Sequence, residues 1–155
     1  MKYAYYKTQI GLIEIAHKDK IYAISLVSSR KNKSFTNYLT DLVYKEITAY
    51  LRGELYKFTF YDYLEIRGTD FQKSVLKALR DIPYGKTVSY KDIAQKIGNP
   101  GAVRAVGSAV GKNPFLIVYP CHRVIKNDGR IGSFAYGQDL KKYLLDLEGA
   151  SYKSL

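Results

Sequence analysis

Ser89-Tyr90-Lys91-Asp92-Ile93-Ala94-Gln95-Lys96-Ile97-Gly98-Asn99-Pro100-Gly101-Ala102-Val103-Arg104-Ala105-Val106-Gly107-Ser108-Ala109-Val110 is the stretch whose pattern decides the architecture. Ser89 followed three residues later by Asp92 predicts a capped helix start. Ile93, Ala94 and Ile97 give that helix a buried face, and Gly98-Asn99-Pro100-Gly101 breaks it. A second helix is predicted over 102–111. Two short helices joined by a tight glycine-containing turn make a helix-turn-helix pattern. Helices that read base edges present Asn, Gln, Arg or Lys to the groove. The second helix has one long cation, Arg104, among the small residues Ala102, Ala105 and Gly107. Those small residues fit equally a helix packed tightly against its neighbours and a helix whose backbone lies close to a duplex. In the second case binding runs through phosphates, without sequence preference.

Working outward, Phe71, Val75, Leu76 and Leu79 share one helical face, and Ile82-Pro83-Tyr84-Gly85 is a turn. The N-terminal third reads as β structure. Residues 2–7 and 11–16 are strand-like, and 21–27 is apolar. His17-Lys18-Asp19-Lys20 is a polar turn between the latter two, so a hairpin is expected with His17 in solvent. Residues 28–34 form a polar loop with three basic residues. Leu39, Leu42, Val43, Ile47, Tyr50 and Leu51 recur at helical spacing up to Gly53. A short strand is expected over 55–60 and a linker over 61–68. Downstream, Asn113-Pro114 stops the second helix of the pair, residues 115–119 form a β-prone apolar run, and 140–147 is a last helix. The fold class is therefore α+β, with an N-terminal α/β domain over 1–66 and a mainly helical C-terminal domain over 67–155.

Bulk properties exclude several classes. No stretch approaches the roughly 18 apolar residues of a membrane span. The start, Met1-Lys2-Tyr3-Ala4-Tyr5-Tyr6-Lys7, has no signal-peptide core. With one cysteine, no disulfide framework or cysteine-based metal site can form. A soluble, cytoplasmic protein without metal or cofactor is expected. Net charge is +11. Residues 69–155 contribute +7 and residues 1–68 contribute +4. Such an excess fits a solvated basic surface as well as polyanionic partners, and the more basic C-terminal part shifts the balance a little toward the latter.

The single cysteine lies in Tyr119-Pro120-Cys121-His122-Arg123-Val124. A free thiol is only a few per cent thiolate at neutral pH, so a nucleophilic cysteine needs a base or a nearby cation. His122 is the candidate base. Adjacent side chains diverge, so a bridging water or a turn is needed between the two. Glu148 is the candidate partner that orients the base. The alternative is a buried, inert cysteine beside a surface histidine.

Pro120-Cys121-His122-Arg123-Val124 closely resembles the active-site motif of the O6-alkylguanine-DNA alkyltransferases, also called methylated-DNA–protein-cysteine methyltransferases. Val88-Ser89-Tyr90, Gly98-Asn99-Pro100, Ala102-Val103-Arg104-Ala105-Val106-Gly107, Asn113-Pro114 and Glu148-Gly149 follow the family pattern in order. The resemblance spans residues 71–149. It matches the N-terminal part, ribonuclease H-like in this family, in general layout only.

The resemblance implies direct repair of O6-alkylguanine, with O4-alkylthymine as a second substrate, by irreversible transfer of the alkyl group to Cys121. The protein is used once. The helix-turn-helix would dock in the minor groove of double-stranded DNA as a monomer, and the damaged base would be flipped into a pocket. Arg104 matches the arginine that fills the vacated stack. His122 takes the thiol proton through water, Glu148 supports it, and Asn113 braces the turn. Tyr90 helps protonate the leaving guanine. The carbonyls of Cys121 and Val124 accept from the guanine amine, and the amide of Ala135 donates to O6. Lys91, Asn99 and Asn127 fall at DNA-contacting positions, beside Ala102, Ala105 and Gly107. Phe134 and Ala135 depart from relatives that carry Tyr and a hydroxyl residue there. Cys121 argues against an alkyltransferase-like lesion binder, which has another residue at that position. The featureless second helix argues against a transcription factor, and its presence argues against a cysteine hydrolase.

Overall fold

Alternating apolar residues build the first sheet. Lys2–Thr8 (β1), Gly11–His17 (β2) and Ile21–Val27 (β3) pair antiparallel in the order β1-β2-β3. Ile13, Ile15, Ile21 and Ile24 are fully buried. Tyr38–Leu51 (α1) buries Val43, Ile47 and Tyr50. Asn37 and Thr40 start it with a reciprocal capping box. The Tyr6 hydroxyl ties β1 to α1 by donating to Asp41 Oδ1 at 2.6 Å, while its ring stacks on Tyr44 at 4.5 Å. The computed structural model describes residues 1–153. Met1–Ile66 with Pro114–Leu116 forms one unit, and Arg67–Asn113 with the chain from Ile117 onward forms another.

Two expectations fail in the N-terminal unit, the strand over 55–60 and the solvated His17. Residues 55–60 are not a strand, because Phe58 and Phe60 instead follow an aromatic cluster with Tyr50, with ring centroids 5.7 Å apart. The 61–68 linker is fixed at its middle: Leu64 is buried and bridges Ile21, and the Glu65 amide donates to the Ile21 carbonyl at 2.8 Å. His17 is not solvated. It is 2% exposed, with Nε2 2.7 Å from the Phe35 carbonyl, so the turn residue serves as an internal tie.

The apolar run 115–119 also departs from a regular strand. The Ile24 amide donates to the Pro114 carbonyl and the Leu116 amide donates to the Ile24 carbonyl, which gives one bridge on β3. The chain then turns at Ile117, whose φ is +69°. A β-branched residue there costs about 1–3 kcal/mol. All five side chains are buried, and an apolar run of this length carries no periodicity to separate strand from turn.

In the second unit Asp70–Arg80 (α2) begins at a Thr69–Gln72 capping box. Val88–Ser89 (β4) leads into Tyr90–Lys96 (α3), capped reciprocally by Ser89 and Asp92. Val103–Gly111 (α4) follows, with Ala102 at its cap position. Val124–Ile125 (β5) pairs parallel with β4, Val88 opposite Val124 and Ser89 opposite Ile125. Gln138–Glu148 (α5) closes the unit. Val75, Leu79, Ile93 and Val106 are buried on α2, α3 and α4, which pack against one another. On α4, Val106, Ala109 and Val110 are buried while Arg104, Ala105 and Ser108 are exposed. The fold is thus mixed α/β, with five α-helices and two small sheets among the described residues. No helix among them is long and apolar enough to cross a membrane.

Candidate active site

The β4–β5 pair is what assembles the site. It sets Tyr90, first residue of α3, close to the turn that precedes Val124. That turn is a single 3-10 turn, Cys121–Arg123. Asn113, just past α4, donates from Nδ2 to the Tyr119 carbonyl at 2.7 Å, and the Cys121 amide also donates to that carbonyl at 2.7 Å. Cys121 is buried, with 7% of its surface exposed.

Behind it lies a buried ionic network. His122 Nε2 is 2.7 Å from Glu148 Oε2, and both side chains are fully buried. Arg123 grips the same carboxylate with two prongs, Nε to Oε1 at 2.8 Å and Nη2 to Oε2 at 3.0 Å. Its Nη1 donates to the Ile82 carbonyl at 2.7 Å. The Gly85 amide donates to Glu148 Oε1 at 2.9 Å. Gly85 has a φ of +78°, and a Cβ there would come within 3.1 Å of the Glu148 carbonyl oxygen, so the turn needs glycine.

Burial alone would raise the Glu148 carboxyl. The hydrogen bonds and charges of His122 and Arg123 outweigh that and hold it well below the usual carboxylate range. Burial pushes the His122 imidazole down, against the upward pull of Glu148. The resting network is therefore a carboxylate neutralised by Arg123 beside a neutral imidazole. A carboxylate only accepts, so Nε2 carries the histidine proton and Nδ1 is left as the basic nitrogen. Burial pushes the Cys121 thiol up, while an Asn113 hydrogen bond and the charge of Lys141 pull it down. The resting sulfur is a thiol that needs a base.

Sequence reasoning missed Lys141 and the use of Arg123. Lys141 is fully buried, and its ammonium donates to the Val124 carbonyl at 2.7 Å and the Ser133 carbonyl at 3.0 Å. Burial pushes it down to about 8, partly opposed by Cys121. A signal existed: Lys141, Leu144, Leu145 and Glu148 fall on one helical face, and all four are buried.

The remaining expected residues are spread over the surface of this unit. A cavity of about 630 Å³ is lined by Tyr90, Val103, Gly107, Lys126, Asn127 and Gly132, among others. Burial raises the Tyr90 hydroxyl, with a further upward push from Cys121. The Lys91 amide donates to Asn127 Oδ1 at 3.4 Å. Asn99 is exposed in the turn between α3 and α4, where its carbonyl accepts from the Ala102 amide. Phe134 packs edge-on against Tyr136 at 5.9 Å, with Ala135 exposed between them. No cluster of three or more metal-ligating side chains occurs among the described residues.

Residues 70–150 match the family model of the 6-O-methylguanine DNA methyltransferase, DNA binding domain. A probable methylated-DNA–protein-cysteine methyltransferase of Acanthamoeba polyphaga mimivirus is 43% identical, over 96% of this chain and 97% of the relative. The methylated-DNA–protein-cysteine methyltransferase of Methanosarcina acetivorans is 41% identical, over 97% and 99%. The crystal structure of Mycobacterium tuberculosis OGT in complex with DNA superposes with a TM-score of 0.87 at 39% identity, covering 96% of this chain and 93% of that one. A lone thiol backed by an arginine-held Glu–His pair, in a chain this similar to whole-length relatives, places the protein in the O6-methylguanine-DNA methyltransferase family of DNA-repair proteins.

Proposed function

We propose that Cys121 is the alkyl acceptor, that His122 takes its proton through one water, and that Glu148 holds the imidazole. The observation that carries this is the buried Glu148–His122 pair, which fixes the basic nitrogen on the side of the ring away from the carboxylate, one residue from the only cysteine. In the transfer the sulfur–carbon bond forms as the carbon–O6 bond breaks. The thiol proton goes to His122 Nδ1, and the departing purine oxyanion is neutralised by a proton delivered with the help of Tyr90. The product is a thioether, which water does not hydrolyse, so each molecule acts once. Asn113 braces the turn. The carbonyls of Cys121 and Val124 accept from the guanine amine, the Ala135 amide donates to O6, and Phe134 forms a pocket wall. O4-alkylthymine would enter the same pocket.

α3 and α4 act as a helix-turn-helix that lies in the minor groove without sequence preference. The reading is supported by the exposed face of α4, where Arg104 stands among small residues. The two units serve as domains: an N-terminal ribonuclease H-like domain and a C-terminal transferase domain, working as a monomer.

The test is intact mass after incubation with a duplex carrying O6-methylguanine. One methyl group is expected on Cys121 and no further addition with excess substrate. An unchanged mass with the lesion intact would refute the assignment. Arg104→Ala is expected to slow repair in duplex DNA while reacting near-normally with free O6-benzylguanine. An equal loss on both substrates would remove Arg104 from the flipping step.

Lys141→Met supplies a further check. It deletes the cation that lowers the Cys121 thiol, and strands the buried Val124 carbonyl at a cost of about 1–3 kcal/mol. Reaction with free O6-benzylguanine is expected to fall about threefold for each pH unit by which the thiol titration rises, because the scarcer thiolate is also the stronger nucleophile. A parent-like rate together with a lowered melting temperature would leave Lys141 a purely structural role.

A further inference from the structure

The net charge of the N-terminal unit is concentrated in one place. Of residues 1–68, Lys2, Lys18, Arg30, Lys31 and Lys33 face Asp19 and Glu14 in this region, the latter accepting from the Tyr5 hydroxyl at 2.6 Å, which leaves +3 of the +4 of the segment. The other six basic and five acidic residues of that segment nearly balance. The region is built around β1. Ser34 bridges Tyr3, its Oγ accepts from the Tyr5 amide at 3.1 Å, and Asn32 donates to the Tyr5 hydroxyl at 3.3 Å. The 28–34 loop is thereby pinned along the strand with Arg30, Lys31 and Lys33 exposed. The Arg30 guanidinium lies 6.0 Å from the Tyr5 ring centre, and the ammonium groups of Lys2 and Lys33 each lie 5.5 Å from that of Phe35. Phe35 is 43% exposed and Tyr38 is 90% exposed. Lys2, Lys18 and Phe35 border a cavity of about 470 Å³ floored by the buried His17.

We infer that this loop is a second docking surface, independent of α3 and α4, for the phosphate backbone of DNA. Aromatic rings hold the cations without neutralising them, because the ring quadrupole attracts the charge but carries no counter-charge. Pre-positioned cations lose little side-chain freedom when a phosphate arrives. A lipid surface is the poorer match: ammonium groups sit over Phe35, the ring that would have to enter the acyl region. The protein's established partner already supplies a polyanion at high local concentration.

The inference predicts a change in salt dependence, because each phosphate contact contributes about −0.9 to the slope of log affinity against log salt. The full chain is titrated with undamaged duplex across a salt series, together with two charge-matched variants. Lys31→Gln/Lys33→Gln is expected to flatten the slope by about two units. Lys45→Gln/Lys57→Gln, which removes the same charge elsewhere on this unit, is expected to leave it within error. Both variants should react with free O6-benzylguanine at the parent rate, which shows that they fold. Equal slopes for all three proteins would overturn the inference, as would equal flattening in both variants. Loss of binding to phosphatidylserine vesicles, with the DNA slope intact, would assign the surface to lipid and overturn it as well.

Discussion

Cys121→Ser is expected to lose alkyl transfer by at least about a thousandfold, because a hydroxyl is far less acidic and less polarisable than a thiol. The substitution is nearly isosteric. It keeps the two hydrogen bonds that shape the turn, from Asn113 Nδ2 and from the residue-121 amide, both to the Tyr119 carbonyl. It leaves α3 and α4 untouched. Affinity for a duplex containing O6-methylguanine should therefore stay within about twofold, since no phosphate contact is removed. The measurement pairs intact mass with a binding titration. Parent protein gains one methyl group; the variant gains none and stays on the lesion. A methylated variant would show that another residue accepts the group. Loss of binding along with transfer would show that the thiol serves the fold rather than the chemistry.

How far the site was legible follows from which interactions leave a local pattern. The Ser89–Asp92 cap and the buried face of α3 repeat within one helical turn, so both could be read directly. The Pro120–Val124 motif marked the nucleophile, and Glu148 was accessible as a residue on the last helix. The role of Arg123 was not accessible. Its guanidinium spans Glu148 and the Ile82 carbonyl, 25 and 41 positions away, and a pairing of that range leaves no spacing signal. The bend at Ile117 was hidden for a related reason: a fully buried apolar run reads the same whether it extends or turns. His17 was misread because a polar turn normally faces water, whereas here the Phe35 carbonyl folds back onto it. Lys141 was the one omission with a usable clue, a charged residue at a core position of an amphipathic helix.

Arg123→Met should destabilise the protein by about 3–5 kcal/mol, since it leaves the Glu148 carboxylate buried beside a neutral imidazole. For a chain of this length that corresponds to a melting temperature lower by roughly 6–20 °C. Arg123→Met/Glu148→Gln removes both charges and should recover much of the loss, because replacing an entire buried pair is often close to neutral. The pH dependence separates this explanation from simple packing. The Glu148 carboxyl is depressed in the folded state, so its contribution is fully present above the ordinary carboxyl value of 4.5 and is lost as pH falls toward the lower folded value. The parent should therefore shed stability progressively below about pH 4.5, and the double variant should shed less over the same window. Arg123→Met weakens the depression, so its own acid loss should be shallower than the parent's. Restored stability in the double variant need not restore transfer, because a neutral amide in place of the Glu148 carboxylate holds the imidazole without supplying a negative charge to the imidazolium that forms. Parent-like melting in Arg123→Met, or equal acid slopes in all three proteins, would show that the ionic network is not what holds the cysteine turn to the last helix.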